Sequence, residues 1–215
     1  MRGDAASSML RGVSLSAIRG DRRLFSGLSF DIEPGELLYV NGPNGSGKTT
    51  LLRMLCGLVL PADGEVRWGG RDIHALGDAY RAELLYCGHH SAVKDDLNCL
   101  ENLEISSRLG GQRIETRQAL DALGHLGLDG LEELPAKLLS QGQRRRLSLT
   151  RLVFSEARLW ILDEPFTALD VAAIEVVRSL IRNHLAKSGL IVLTTHQRVD
   201  IDASRIKQVP MGVAA

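Results

Sequence analysis

Residues 42–50 read Gly42-Pro43-Asn44-Gly45-Ser46-Gly47-Lys48-Thr49-Thr50, and this stretch constrains the chain more than any other. It fits the phosphate-binding pattern G-x-x-x-x-G-K-[ST]. The apolar run Leu37-Leu38-Tyr39-Val40 precedes it, and a helical pattern over 50–58, with leucines and Met54 on one side, follows it. That strand–loop–helix context is what the motif needs, because the glycines let backbone N–H groups turn inward around phosphate oxygens and the helix start adds partial positive charge. In this pattern Lys48 reaches the β- and γ-phosphates and the Thr49 hydroxyl binds Mg²⁺. The bland alternative is a glycine turn with a chance lysine.

A second constellation stands far downstream. Leu159-Trp160-Ile161-Leu162-Asp163-Glu164 is an apolar run that ends in two carboxylates. Such a strand puts charge at the carboxyl edge of an open α/β sheet, where ligands sit. Alone it could be a strand meeting a solvated turn. Beside the phosphate loop it reads as Asp163 holding Mg²⁺ through water and Glu164 orienting or deprotonating an attacking water.

Composition narrows the class. The chain has 215 residues, with 26 Lys+Arg against 26 Asp+Glu. A neutral balance argues against a dedicated nucleic-acid binder. Cys56, Cys87 and Cys99 lack metal-ligand spacing and read as free thiols. No apolar run approaches a membrane span, and residues 1–8 lack the apolar core of a secretory signal. The chain is expected to be soluble, or held to a membrane through a partner.

Patterning predicts strands at 10–18, at 24–32 with an interruption at Gly27, at 65–68 and at 84–87. Further strands are expected at 159–162, 190–193 and 205–209, with an amphipathic helix over 171–185. From 89 to 155 leucines recur at helical spacing. The expected architecture is one α/β domain over 1–215 with a mostly parallel sheet and an antiparallel β portion at the start. Residues 9–88 and 156–210 form its core, and 89–155 a helical subdomain.

Leu139-Ser140-Gln141-Gly142-Gln143 precedes a helical run over 143–154 and resembles the L-S-G-G-Q signature of ATP-binding subunits of ABC transporters. Only Gln141 departs from it. Ala168-Leu169-Asp170 resembles that family's D-loop, and Thr194-Thr195-His196 its switch histidine. The resemblance runs from Leu10 to about Val209. It implies the P-loop ATPase fold of that family and ATP hydrolysis with Mg²⁺. It implies two sites sandwiched in a homodimer, each joining one subunit's loop from Gly42 to Thr50, Asp163, Glu164 and His196 to the other's Ser140, Gly142, Gln143 and Asp170. Lys48, Glu164 and His196 would be catalytic. Integral membrane subunits would complete the transporter, and nucleic acid would play no part.

Two departures stand out. The family's adenine-stacking aromatic aligns with Arg19, whose guanidinium could stack instead. Its metal-sensing glutamine, which couples nucleotide to the membrane subunit, aligns with His90, whose neutral imidazole can accept from a metal-bound water. His89 and His90 could also be plain exposed loop residues. Arg144-Arg145-Arg146 point three ways on a helix and read as a solvated surface, with at most one of them meeting a partner.

Within the family, Gly88-His89-His90 with Lys94 and Leu100-Glu101-Asn102-Leu103, the stretch from Leu159 to Asp170, and Leu193 to Gln197 look like the ATPases of bacterial cytochrome c maturation, often named haem exporters. That likeness implies a peripheral protein on the cytoplasmic face of the inner membrane, driving haem export or release from a haem chaperone without itself binding haem. Another compact small-molecule or peptide exporter, or a soluble ABC ATPase, is the alternative.

Overall fold

The computed structural model describes residues 9–196, 201 and 205–212; Gln197 and residues 1–8 lie outside them. In chain order come β1 (Leu10–Arg19), β2 (Arg22–Ile32), β3 (Leu37–Asn41), α1 (Lys48–Leu55), β4 (Asp63–Trp68), β5 (Arg71–Asp72), α2 (Ile73–Leu76), α3 (Asp78–Arg81) and β6 (Leu84–Cys87). There follow α4 (Cys99–Leu109), α5 (Thr116–His125), α6 (Gln141–Leu149), α7 (Arg151–Phe154), β7 (Leu159–Asp163), α8 (Val171–Ala186), β8 (Leu190–Thr194) and β9 (Ile206–Pro210).

Two sheets form. The first is antiparallel, ordered β2-β1-β4-β5, and the second is parallel, ordered β6-β7-β8-β3-β9. Every residue of β7 and β8 is buried, as unbroken apolar runs require in a parallel sheet covered on both faces. Alternation then sorts their side chains. Leu159, Ile161, Leu190 and Val192 join α1 and the antiparallel sheet in one core. Trp160, Leu162, Ile191 and Leu193 face the other way, onto Val177, Ile181 and Leu185 of α8. Val177 and Ile181 are wholly buried, worth about 2 kcal/mol each. A third core, around Leu103, Leu123, Leu139 and Leu147, belongs to the helices of the 99–154 segment.

The register positions the site. Val40 of β3 and Asp163 of β7 both pair with Thr194 of β8. Three strands therefore end level, and the segments that leave them emerge side by side.

Several boundaries differ from expectation. The helix expected over 50–58 runs Lys48–Leu55. Gly47, at φ 98°, starts it, and Gly57, at φ 70°, turns the chain away. Leu58 is left exposed. The helix expected over 143–154 begins at Gln141 and breaks at Thr150, whose hydroxyl donates to the Arg146 carbonyl. Gly142 thus lies inside the helix, and Ser140 is its cap. Leu97 falls outside α4, because Asn98 caps that helix in a reciprocal box with Glu101. The short elements β5, α2 and α3 carried no periodicity to find.

Candidate active site

Each segment leaving the three level strands contributes polar groups. From β3 comes the phosphate loop. Gly42 must lack a side chain, since a Cβ there would stand 2.5 Å from the Met211 carbonyl oxygen and 2.8 Å from Ser46 Oγ. Gly45 and Gly47 supply the left-handed turns at φ 79° and 98°. Lys48 is buried, and its ammonium donates to the carbonyls of Gly42 (2.7 Å) and Pro43 (3.1 Å). Ser46 Oγ is buried with no partner among the described residues.

From β7 come the carboxylates. Asp163 is buried, and each of its oxygens has a hydroxyl donor: Thr194 at 2.7 Å to Oδ1 and Thr49 at 2.9 Å to Oδ2. The buried acid and the loop threonine thus touch across the gap between strands. An acceptor-only carboxylate beside a hydroxyl is the oxygen set that Mg²⁺ takes alongside phosphates and waters. Glu164 follows at φ 52°, left-handed for a side-chain-bearing residue, and its amide donates to both oxygens of Thr194. Its Oε1 is buried with no hydrogen bond among the described residues. A buried acceptor left open at a strained turn fits a water or substrate group.

From β8 comes His196. Its amide donates to Glu164 Oε2 at 3.1 Å. Its ring Nε2 stands 3.3 Å from Lys48 Nζ and 3.4 Å from Glu164 Oε1. Nearby, the Tyr39 hydroxyl donates to the Thr195 carbonyl, and burial, helped by the charge of Glu164, raises its pKa. The whole opens into a cleft of roughly 540 Å³, whose lining includes Lys48, Thr49, Thr50, Asp163, Glu164 and His196.

Sequence reading passed over several residues here. Leu24, Thr167 and His89 also line the cleft, and Arg19 stands there as expected. His90, expected beside the metal, instead lines a separate cavity of roughly 140 Å³ with Cys87, Asn102 and Arg151. The two imidazoles meet edge to face, with ring centres 5.3 Å apart, so the loop turns one inward and the other away. Thr194 reads only as the lead-in to the switch histidine, and its hydroxyl contact to Asp163 gave no signal in the sequence.

The signature residues lie elsewhere. Ser140 caps α6: its hydroxyl accepts from the Gln143 amide at 3.2 Å, and the Gln143 side chain accepts from the Ser140 amide at 2.8 Å. Gly142 packs on the Ala168 carbonyl, only 2.8 Å from where a Cβ would stand. Asp170 caps α8 through the Ala173 amide and pairs with Arg146 at 2.8 Å. None of Ser140, Gly142, Gln143 or Asp170 lines the cleft of its own chain.

The arginine run departs from the solvated surface expected of it. Arg144 reaches Asp95 and Arg146 reaches Asp170, while Arg145 points inward with 6 % of its surface exposed. Burial lowers its pKa, against the opposing pull of the Asp163 and Glu164 carboxylates.

Known proteins offer a comparison. The model of the ABC transporter family matches residues 25–167. The cytochrome c biogenesis ATP-binding export protein CcmA of Nitrosospira multiformis is 55 % identical over 94 % of this chain and 98 % of its own length. Its namesake in Escherichia coli is 44 % identical over 94 % and 96 %. Among solved structures, a putative ABC transporter ATP-binding protein from Pyrococcus furiosus superposes with a TM-score of 0.80 at 24 % identity, over 94 % of this chain and 97 % of that one. That likeness extends the match to the fold.

Proposed function

The chain belongs to the ABC transporter family, and from that premise we propose that it is the ATP-hydrolysing subunit of a bacterial exporter serving c-type cytochrome assembly. One observation carries the chemical part: Lys48, Thr49, Asp163, Glu164 and His196 converge at three level strand ends. One fold unit over 1–215 does the work, with 9–88 and 156–210 as the nucleotide core and 89–155 as a helical subdomain.

Lys48 exchanges the Gly42 and Pro43 carbonyls for the β- and γ-phosphates of ATP, while the amides of 42–50 wrap the chain of phosphates. Thr49 and Asp163 would hold Mg²⁺, which would neutralise phosphate charge when bound. Glu164 accepts a proton from the attacking water at its open Oε1, and His196 orients that water and contacts the γ-phosphate. Ser140, Gly142, Gln143 and Asp170 serve the cleft of a second copy, where the Ser140 hydroxyl proton remains free to donate to a γ-phosphate. ATP therefore favours the closed homodimer, and hydrolysis reopens it.

Among the described residues no helix is long and apolar enough to cross a membrane. We assign the chain to the cytoplasmic face of the inner membrane, bound to integral membrane subunits. The energy drives haem export or release from a haem chaperone, with no haem on this subunit and no nucleic acid involved. The test is covalent haem in the host's c-type cytochromes. Deletion of the gene should abolish it; the intact gene should restore it, and Lys48→Ala should not. A normal haem pattern in the deletion strain, with no second copy of the gene, removes the cytochrome role and leaves the ATPase.

A further inference from the structure

The mechanism above leaves one buried charge unused. Arg145 stands on the second turn of α6, five residues after Ser140. Its Nη1 donates to the Gly88 carbonyl at 2.8 Å. Its Nη2 donates to the carbonyls of Asp163 at 2.9 Å and Glu164 at 2.7 Å. Its Nε has no partner among the described residues. An apolar side chain of similar volume would serve the core with less desolvation. The charge is therefore explained by what it touches.

Those three carbonyls lie just past the last ladder pair of β6 and β7, Cys87 with Leu162. No further strand residue can bond them, so the guanidinium does. The geometry of two of them matters more. The Asp163 carbonyl belongs to the peptide plane before the Glu164 Cα, and the Glu164 carbonyl to the plane after it. Holding both planes holds φ and ψ of Glu164, the residue at φ 52°. The third bond fixes the plane that leads into His89, which lines the cleft. The same helix grips the rest of the acidic turn, through Gly142 on Ala168 and Arg146 on Asp170.

We propose that Arg145 is a positioning residue that locks Glu164 in its left-handed conformation and ties it, together with the His89 loop, to the signature helix. Displacing α6 then displaces the carboxylate that meets the attacking water. This rests on the reading of Glu164 as the base. It makes Arg145 a rate determinant that need not alter ATP affinity, since no Arg145 atom lines the cleft.

The test compares full-length wild type, Arg145→Met, Arg145→Lys and Arg144→Gln. It measures ATP affinity, KM, kcat and thermal unfolding. Arg145→Met should lower kcat at least about tenfold, as expected when a reacting group loses its placement. Its KM and ATP affinity should stay within about threefold of wild type. Arg145→Lys should recover part of kcat, because one ammonium cannot stand where both guanidinium nitrogens stand. Arg144→Gln, which touches only Asp95 and the Ala136 carbonyl, should keep wild-type kcat. A folded Arg145→Met at wild-type kcat overturns the proposal. So does Arg145→Lys at wild-type kcat, which decides the matter if the methionine variant does not fold. Equal losses in kcat and affinity with no gain from lysine would leave only a structural role and also overturn it. A wild type that binds ATP without hydrolysing it ends the functional reading itself.

Discussion

The strand ends and the signature helix treat their polar groups in opposite ways. At the ends of β3, β7 and β8, Lys48, Asp163, Glu164 and His196 already touch one another or one another's neighbours. At the start of α6, Ser140 and Gln143 satisfy only each other, on an exposed surface. Ladder register commits the first set to its own chain, because Asp163 is paired within the sheet and Lys48, Glu164 and His196 sit within a few residues of the strand ends they follow. A capped helix start commits nothing, and its free donors suit a partner's anion. On the function proposed above, one copy would carry the chemistry and the phosphate loop, and its neighbour would add the signature's contact to the γ-phosphate.

The sharpest way to break that division is Glu164→Gln. The amide keeps the size of the carboxylate but cannot take a proton. Turnover should fall about 10²- to 10³-fold while ATP binding persists, leaving a dimer that forms only with ATP. Size-exclusion chromatography with and without ATP reads the dimer. A monomeric variant with full turnover would move the chemistry off the strand ends.

How much of this was legible depended on what kind of order fixed each group. The strands β7 and β8 and their acidic end were readable because continuous apolar runs and a terminal Asp-Glu are local patterns. The phosphate loop was readable because its glycines, lysine and threonine are adjacent. Arg145 was not: adjacent arginines diverge on any helix, and only the tertiary position of β6 and β7 makes one of them internal. His89 and His90 were separable only once the loop after β6 had a direction. Thr194 was readable only as the residue before the switch, and its tie to Asp163 needed the register that sets the two opposite each other.

The far end of the same sheet answers to pH, and it lets stability be separated from the site. His184 stacks on Trp160 with ring centres 3.9 Å apart, and its Nε2 stands 3.1 Å from the Arg158 carbonyl. Burial lowers its pKa to about 4. The unfolded imidazole binds its proton near pH 6.5, so the folded state is fully favoured above that value. Stability should drain as pH falls from about 6.5 to about 4 and then level off, by roughly 3 kcal/mol in all. Denaturant unfolding across that range measures it, and His184→Phe should flatten the slope. A slope that survived would point to carboxylates at the strand ends.

Ser140→Ala tests the other half of the comparison. The lost cap costs about 1 kcal/mol of local stability. The lost donor should lower steady-state hydrolysis by about tenfold, the scale of one hydrogen bond to a charged group. Affinity for a single ATP should not follow, because Ser140 lies outside the cleft of its own chain. Mixing this variant with Lys48→Ala chains should restore one working site per mixed dimer, joining the first chain's phosphate loop to the second chain's signature. Failure of mixing to restore any activity would return the signature to its own subunit.

The smallest effect is expected at Arg19, which lines the cleft beside Leu24. Arg19 is exposed, so its guanidinium offers a planar cation to stack on a base at the strength of a surface contact. Arg19→Ala should weaken ATP by about two- to fivefold, corresponding to about 0.5 to 1 kcal/mol. Stacking takes the face of a purine and ignores its edge, so ATP and GTP should weaken together. Competition against a fluorescent nucleotide measures both. If the GTP loss were much the larger, Arg19 would be donating to the guanine edge, and this part of the cleft would read sequence chemistry as well as phosphate. If neither nucleotide moved, the strand ends alone would hold the ligand, and the division between chemistry and recognition would extend to the base.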